Sequence, residues 1–233
     1  MPAAMQIGIP LFANVTQLDF TGPWEVFTRV PGATCHLLAP ELQPVRSASG
    51  LAVLPTSTYD GCPQLDVVCV PGGPGHLAAM EDERVLSFLR RQERGCRYLT
   101  AVCTGALVLA AAGLLRGYRA TTHWMSLDRL AAFGAIPVSD RVVTDRNRVT
   151  GGGVTAGIDF ALTLVAAMHG ESVARALQLQ IEYAPAPPFG DGHPGVAAPN
   201  VVEAVRRFSA PYAARMAEID ARAAAKLAAL SRR

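Results

Sequence analysis

The chain has 233 residues, 50% of them hydrophobic and 17% charged, which is enough apolar material for one domain with a sizeable core. Its 21 basic and 19 acidic residues leave a net charge of +2 with no block of like charges, which argues against a polyanion-binding surface and so against a nucleic-acid partner. Five cysteines without CxxC spacing argue against a disulfide framework and a zinc knuckle; with no basic leader, no cleavage site and no apolar run long enough for a bilayer, a cytoplasmic protein with no membrane contact is expected.

Residues 6–12, QIGIPLF, suit a central parallel strand, with Pro10 the residue that fits least. Next, Gly22-Pro23-Trp24-Glu25 predicts a helix start, with proline at the first helical position and an acid in the first turn. That leaves Asp19 in the loop before it, either as a turn or cap residue or as a carboxylate facing the strand ends, where it could hold or take a proton. Residues 34–39, TCHLLA, suggest a second strand. The polar stretch after them suggests short strands or a hairpin around Ser49-Gly50, with Cys35 and Cys62 packing or lying in loops. Residues 65–71, LDVVCVP, form a buried strand containing Cys69. This strand runs into Gly72-Gly73-Pro74-Gly75, and a helix follows over 82–94. Gly73, Gly75 and Ala78 match a dinucleotide pattern, but that fingerprint opens the first strand–helix unit and does not carry a proline in its turn. The loop reads as a tight turn or as a cradle that brings the backbone N–H groups of Gly72 and Gly73 to a small substrate.

Residues 98–115 change period halfway. Tyr98-Leu99-Thr100-Ala101-Val102 suits a buried strand, and the Ala- and Leu-rich run from Thr104 suits a helix. Cys103 stands at the junction, where a tight turn lifts a side chain beside the helix's unpaired N–H groups. Those groups and the helix dipole are expected to lower a thiol's pKa, and Gly105 is the small residue that lets the turn close. A free cysteine is more often a small buried hydrophobe. Position at the carboxyl end of a strand, where open α/β sheets place their sites, favours a nucleophile.

Further on, residues 118–122 fit a strand, and His123-Trp124 opens a helix to Phe133. His123 either orients or protonates a substrate or caps the helix. Strands are expected over 135–143 and 148–151 around an Asp145-Arg146-Asn147 turn. Gly151-Gly152-Gly153 permits close backbone approach and puts Gly152 in the same pocket. Helices follow over 155–169, where Asp159 reads as structural, and over 171–183. The Pro- and Gly-rich residues 184–199 form a linker or a fixed lid. Residues 200–231 carry an apolar stripe at helical spacing, broken at Pro211, that packs on its own domain or serves a second subunit. The order of elements predicts a single domain over 1–233 with an α/β fold. It is a flavodoxin-like three-layer sandwich with a mostly parallel sheet and a cysteine nucleophile elbow.

With QLDFTGPWEVF, VVCVPGGPG, TAVCTGALVLAAAGLLRGYRATTHW, GGGVTAGIDFALTLVAA and LQIEYAPAPPF in one order, the chain resembles the ThiJ/PfpI superfamily. That superfamily is related in fold to class I glutamine amidotransferase domains, and the likeness within it is to members that hydrate isonitriles. By that resemblance Cys103 matches the nucleophile, Thr104 the residue after it that the hydratases also need, and Asp19 the acidic partner. The implied reaction adds water to R–N≡C to give an N-substituted formamide. Cys103 attacks as a thiolate, a protonated Asp19 supplies the proton, backbone N–H groups of Gly73 and Thr104 steady the charge, and no metal or organic cofactor is needed. A homodimer is implied, and Phe20, Trp24, Trp124 and Phe189 are candidates to surround the apolar R group. Thr104 stands where protease-like members have histidine, which speaks against peptidase activity. Two other readings share these motifs. One is a glyoxalase, deglycase or redox-sensing cysteine protein. The other is the ligand-sensing domain of AraC-type regulators, whose paired helix-turn-helix reader is not expected in the residues after Tyr183.

Overall fold

The computed structural model describes residues 5–230. Strand β1 (Met5–Pro10) leads to α1 (Gln17–Phe27), β2 (Ala33–Ala39), a small hairpin of β3 (Val45–Arg46) and β4 (Ala52–Val53), then β5 (Ser57–Thr58) and β6 (Val67–Val70). A single turn, α2 (His76–Ala79), and α3 (Glu83–Glu93) precede β7 (Tyr98–Val102) and α4 (Gly105–Ala111). Next come β8 (Arg119–Ala120), ten residues of 3-10 turns (Trp124–Phe133), β9 (Ile136–Pro137), β10 (Val142–Asp145) and β11 (Arg148–Gly151). Helices α5 (Ala156–His169), α6 (Glu171–Gln180) and α7 (Pro199–Ser209), a 3-10 turn (Ala210–Tyr212) and α8 (Ala213–Leu230) complete the described chain.

Seven strands form the main sheet in the order β10-β11-β7-β6-β1-β2-β5, parallel except for β10 against β11. Strand β6 is buried along its whole length and β7 nearly so, because helices cover both faces; this is why they read as apolar runs rather than alternating ones. Helices α1, α5 and α6 pack together as one layer, and α3, α4, α8 and the 3-10 segment as the other. The result is a flavodoxin-like three-layer sandwich. The chain places β2 on one side of β1 and β6 on the other, so the order reverses between β1 and β6. Open α/β sheets form a crevice at such a point, outside the carboxyl ends of the strands.

Several elements differ from the sequence reading. Helix α1 begins at Gln17, six residues before Pro23, so Asp19 lies in its first turn and not in a loop. Proline at a first helical position is a preference only. Here the Pro23 ring sits in the second turn against Gly157, where an added Cβ would come 2.9 Å from Pro23 Cδ, and glycine is what admits it. The strand expected over 118–122 shrinks to Arg119–Ala120, which pairs with Ile136–Pro137 outside the main sheet. The expected strand over 135–143 is thus divided between β9 and β10. Residues 184–198 contain no helix or strand, and Pro211 falls in the 3-10 turn between α7 and α8. Residue 231, the last of the expected tail, lies outside the described residues.

Candidate active site

Strand β7 stops at Val102 and α4 starts at Gly105, which leaves two residues for the turn. Only glycine fits at 105. A Cβ there would lie 2.1 Å from the Val70 carbonyl oxygen, so the helix can begin hard against the end of β6. Cys103 takes φ +54°, a left-handed conformation that costs a non-glycine residue roughly 1–3 kcal/mol and persists only when its surroundings enforce it. They do so on both sides of the residue. The Cys103 N–H donates to the carbonyls of Gly151 (3.0 Å) and Gly152 (2.8 Å), and its own carbonyl accepts from Thr122 Oγ1 at 2.7 Å. The side chain at the elbow is only 5% exposed.

Asp19 reaches the same point from α1 and is wholly buried. Its Oδ2 accepts the Gly72 N–H at 2.9 Å, its Oδ1 is buried without a hydrogen-bond donor, and the Cys103 thiol lies against the carboxyl group. Gly72 is where the parts converge. A Cβ there would come 2.5 Å from Thr104 N, 2.6 Å from Thr104 Oγ1 and 2.9 Å from Asp19 Oδ2. Gly73, at φ +115°, donates its N–H to Thr104 Oγ1 at 2.9 Å. The six residues singled out in the sequence therefore gather around the elbow, but the glycines do something other than expected. The N–H of Gly72 is taken by Asp19, that of Gly73 by Thr104 and that of Gly152 by the Arg141 carbonyl (2.9 Å), so no open cradle of glycine N–H groups exists. They fix Asp19, Thr104 and the Cys103 backbone, and the Thr104 N–H is the donor that faces the sulfur.

Burial pushes Asp19 up to about 7 against the pull of the Gly72 and Cys103 hydrogen bonds. The thiol moves the opposite way from the expectation. Burial and the facing Asp19 charge hold Cys103 well above an ordinary thiol, and the donors of Thr104 offset this only in part. Above about pH 7 the two groups therefore hold a single proton, thiol facing carboxylate. Burial also pushes Cys69 up to about 12; lying mid-strand and fully enclosed, it is core.

Beside the elbow lies a cleft of about 390 Å³ that begins at Thr122 and Gly152, the residues holding the Cys103 backbone. Trp124, His123 and the Pro-rich segment's His193 and Pro194 wall it. Of the four aromatic candidates, only Trp124 lines this cleft. Phe20 is buried in the core, Trp24 packs against it, and Phe189 is 77% exposed. The ring of His123 caps the 3-10 segment by accepting the Met125 N–H, the cap role foreseen for it. Asp159 is structural as expected, pairing with Arg141 at 2.6 Å and with the Tyr183 hydroxyl at 2.9 Å.

Sequence reading missed a buried cluster. His76 Nδ1 lies 2.8 Å from the Gly73 carbonyl, Arg129 Nη1 lies 3.0 Å from His76 Nε2, and Arg129 forks onto Asp220 at 2.7 and 2.9 Å. The one available signal was Asp220 itself, a charge beside Ile219 and three residues before Ala223 in the apolar stripe of α8. Among the described residues no group of three or more His, Cys, Asp or Glu side chains could hold a metal ion, and no helix is long and apolar enough to cross a membrane.

Residues 5–167 match the model of the DJ-1/PfpI family. The chain is 55% identical to the isonitrile hydratase of Pseudomonas putida, over 96% of this chain and 98% of that protein. It is 38% identical to the HTH-type transcriptional regulator GbdR of Pseudomonas aeruginosa over 76% of this chain, and spans half of that regulator's length. Among solved structures it resembles a THiJ/PfpI family protein from Pseudomonas syringae. The TM-score is 0.90 at 43% identity, covering 94% of this chain and 90% of the other.

Proposed function

The chain belongs to the DJ-1/PfpI family, and from that premise we propose that it is an isonitrile hydratase, a hydro-lyase that converts R–N≡C and water into R–NH–CHO. The observation that carries this reading is the 55% identity to the Pseudomonas putida enzyme over 96% of the chain, joined to the meeting of Asp19, Cys103 and Thr104 at the elbow. The sulfur attacks the terminal carbon of the isonitrile as the thiol proton passes to Asp19. Asp19 then delivers that proton to the same carbon, leaving the thioimidate Cys103–S–CH=N–R. Water adds to this carbon with a proton going to nitrogen. The C–S bond breaks, the thiol recovers its proton and the formamide leaves. Thr104 supports the sulfur with its N–H and places the water with its hydroxyl, and the R group extends into the cleft lined by Trp124.

Turnover of cyclohexyl isocyanide, followed as formamide by chromatography, tests this. Wild type forms the product, and Cys103→Ala and Asp19→Asn each lose about a thousandfold or more. A wild type inert toward both aliphatic and aromatic isonitriles sinks the reading. The enzyme is further proposed to be cytoplasmic and to work as a homodimer. Exposed Val201, Val205 and Phe208 on α7, followed by Tyr212, offer an apolar face for a second copy, and light scattering at micromolar concentration reads the mass.

A further inference from the structure

The buried cluster behind the glycine loop has a direction to it. Arg129 can only donate hydrogen bonds, so its Nη1, 3.0 Å from His76 Nε2, makes that nitrogen the acceptor of a neutral imidazole. The ring proton is therefore on Nδ1 and is donated to the Gly73 carbonyl at 2.8 Å. The same carbonyl accepts the His76 backbone N–H at 3.0 Å. Its two lone pairs are then filled, and the Thr104 hydroxyl, 3.3 Å away, is the third and most distant donor in the queue. Meanwhile the Gly73 N–H occupies a lone pair of Thr104 Oγ1 at 2.9 Å. The Gly73 peptide thus fixes the Thr104 oxygen while offering its proton only the longest of three contacts, on an oxygen that two nearer donors already fill.

We propose that His76, held by Arg129 and Asp220, is a positioning residue that turns the Thr104 hydroxyl proton away from Gly73 and toward Cys103. Thr104 follows Cys103 directly, and its side chain is one of the donors that draw the thiol's pKa down. Behind His76 the support is rigid. Asp220 holds both arms of the Arg129 guanidinium, Ser126 Oγ and Met216 Sδ accept from it as well, and all of these groups lie within the layer formed by α8 and the 3-10 segment. Helix α8, far along the chain from the elbow, is in this way connected to the residue beside the nucleophile. Asp19 is the titratable group facing Cys103, while Arg129 and Asp220 are the charged groups facing His76.

The kinetic consequence rests on the hydratase reading, whereas the effect on the sulfur does not, so the test reads both. His76→Leu removes the ring donor; His76→Asn keeps one, since its amide nitrogen lies near the place of Nδ1. The pH dependence of Cys103 alkylation by iodoacetamide, followed by mass spectrometry on the Cys103 peptide, should shift up by about one pH unit in His76→Leu, the loss of one hydrogen bond to a thiolate. It should stay near wild type in His76→Asn. With cyclohexyl isocyanide, His76→Leu should lower kcat on the order of tenfold with KM nearly unchanged, and His76→Asn should restore most of it. Thermal melts show that both variants are folded. An alkylation profile that does not move in His76→Leu, or moves equally in both variants, overturns the proposal whatever the turnover. A shifted profile in a protein inert toward isonitriles leaves the network standing and removes the hydratase reading instead.

Discussion

Around Cys103 the N–H groups of Gly72, Gly73, Gly152 and of the cysteine itself are all paired inside the protein, and Asp19 is entirely enclosed. Helix α7, by contrast, buries none of its residues, and Phe208 is 83% and the preceding helix's Leu179 80% exposed. The crevice spends conformational strain and desolvation to hold a few atoms in one arrangement, because a reacting carbon must meet sulfur and proton within fractions of an ångström. Helix α7 holds little in place and presents apolar area, which is what association needs. The site thus holds a left-handed cysteine and a buried carboxyl oxygen without a donor, while α7 leaves Phe208 in solvent.

The comparison breaks most sharply at Gly72. Gly72→Ala puts a methyl group onto Thr104 and Asp19 and should abolish formamide production while costing about 3 kcal/mol in a denaturant melt. Retained turnover would mean that the crevice is softer than its contacts indicate. Asp19→Asn should separate function from stability. The folded pKa of about 7 lies above the unpaired value of 3.8, so the native state keeps a proton that the unfolded chain gives up. Stability from this group is whole below pH 3.8 and lost as pH rises through 7. At pH 8 the ionised acid costs on the order of 4 kcal/mol. The asparagine variant should melt higher than wild type at pH 8, with little difference at pH 4, while losing turnover about a thousandfold or more.

For the wild type, attack by the sulfur as its proton passes to Asp19 needs the singly protonated pair. Its kcat/KM should therefore climb about tenfold per unit below the Asp19 pKa and level off above about pH 7. A flat profile between pH 5 and 8 would show that Asp19 does not titrate in catalysis. Phe208→Ser should weaken self-association roughly tenfold in sedimentation and leave the melting temperature of the monomer within a degree or two. The smallest effect belongs to the surface pair of Arg175 and Glu171 on α6, both largely exposed. Arg175→Ala should change stability by less than about 0.5 kcal/mol in a urea titration.

How much of this could be read from residue order depended on the range of the interaction. The elbow was legible because the period changes from strand to helix at Cys103, and Gly105 is the residue that such a turn demands. The doubly wound sheet followed from buried runs such as VVCV and YLTAV alternating with helical stretches. Asp19 was identified but set in a loop, since Pro23 draws a helix start toward itself when tertiary packing against Gly157 is not in view. The state of the thiol was misjudged for a related reason. The helix terminus is local and visible, while the burial and the facing carboxylate that outweigh it arise only when α1 meets β7. Nothing local announces the His76–Arg129–Asp220 cluster, whose members come from α2, the 3-10 segment and α8.

Five prolines between residues 184 and 199 fix φ before the loop ever meets a ligand. Its start is tied to α5 by the Tyr183 hydroxyl on Asp159, and within the loop the Ala198 N–H donates to Asp191 Oδ1. Little freedom remains to be surrendered when His193 and Pro194 close against a guest, and equally little is available for yielding to a large one. Such a wall selects by outline rather than by adaptation. Across a ladder of alkyl groups, affinity would rise with each methylene that fits and then end at a step, not fade along a slope.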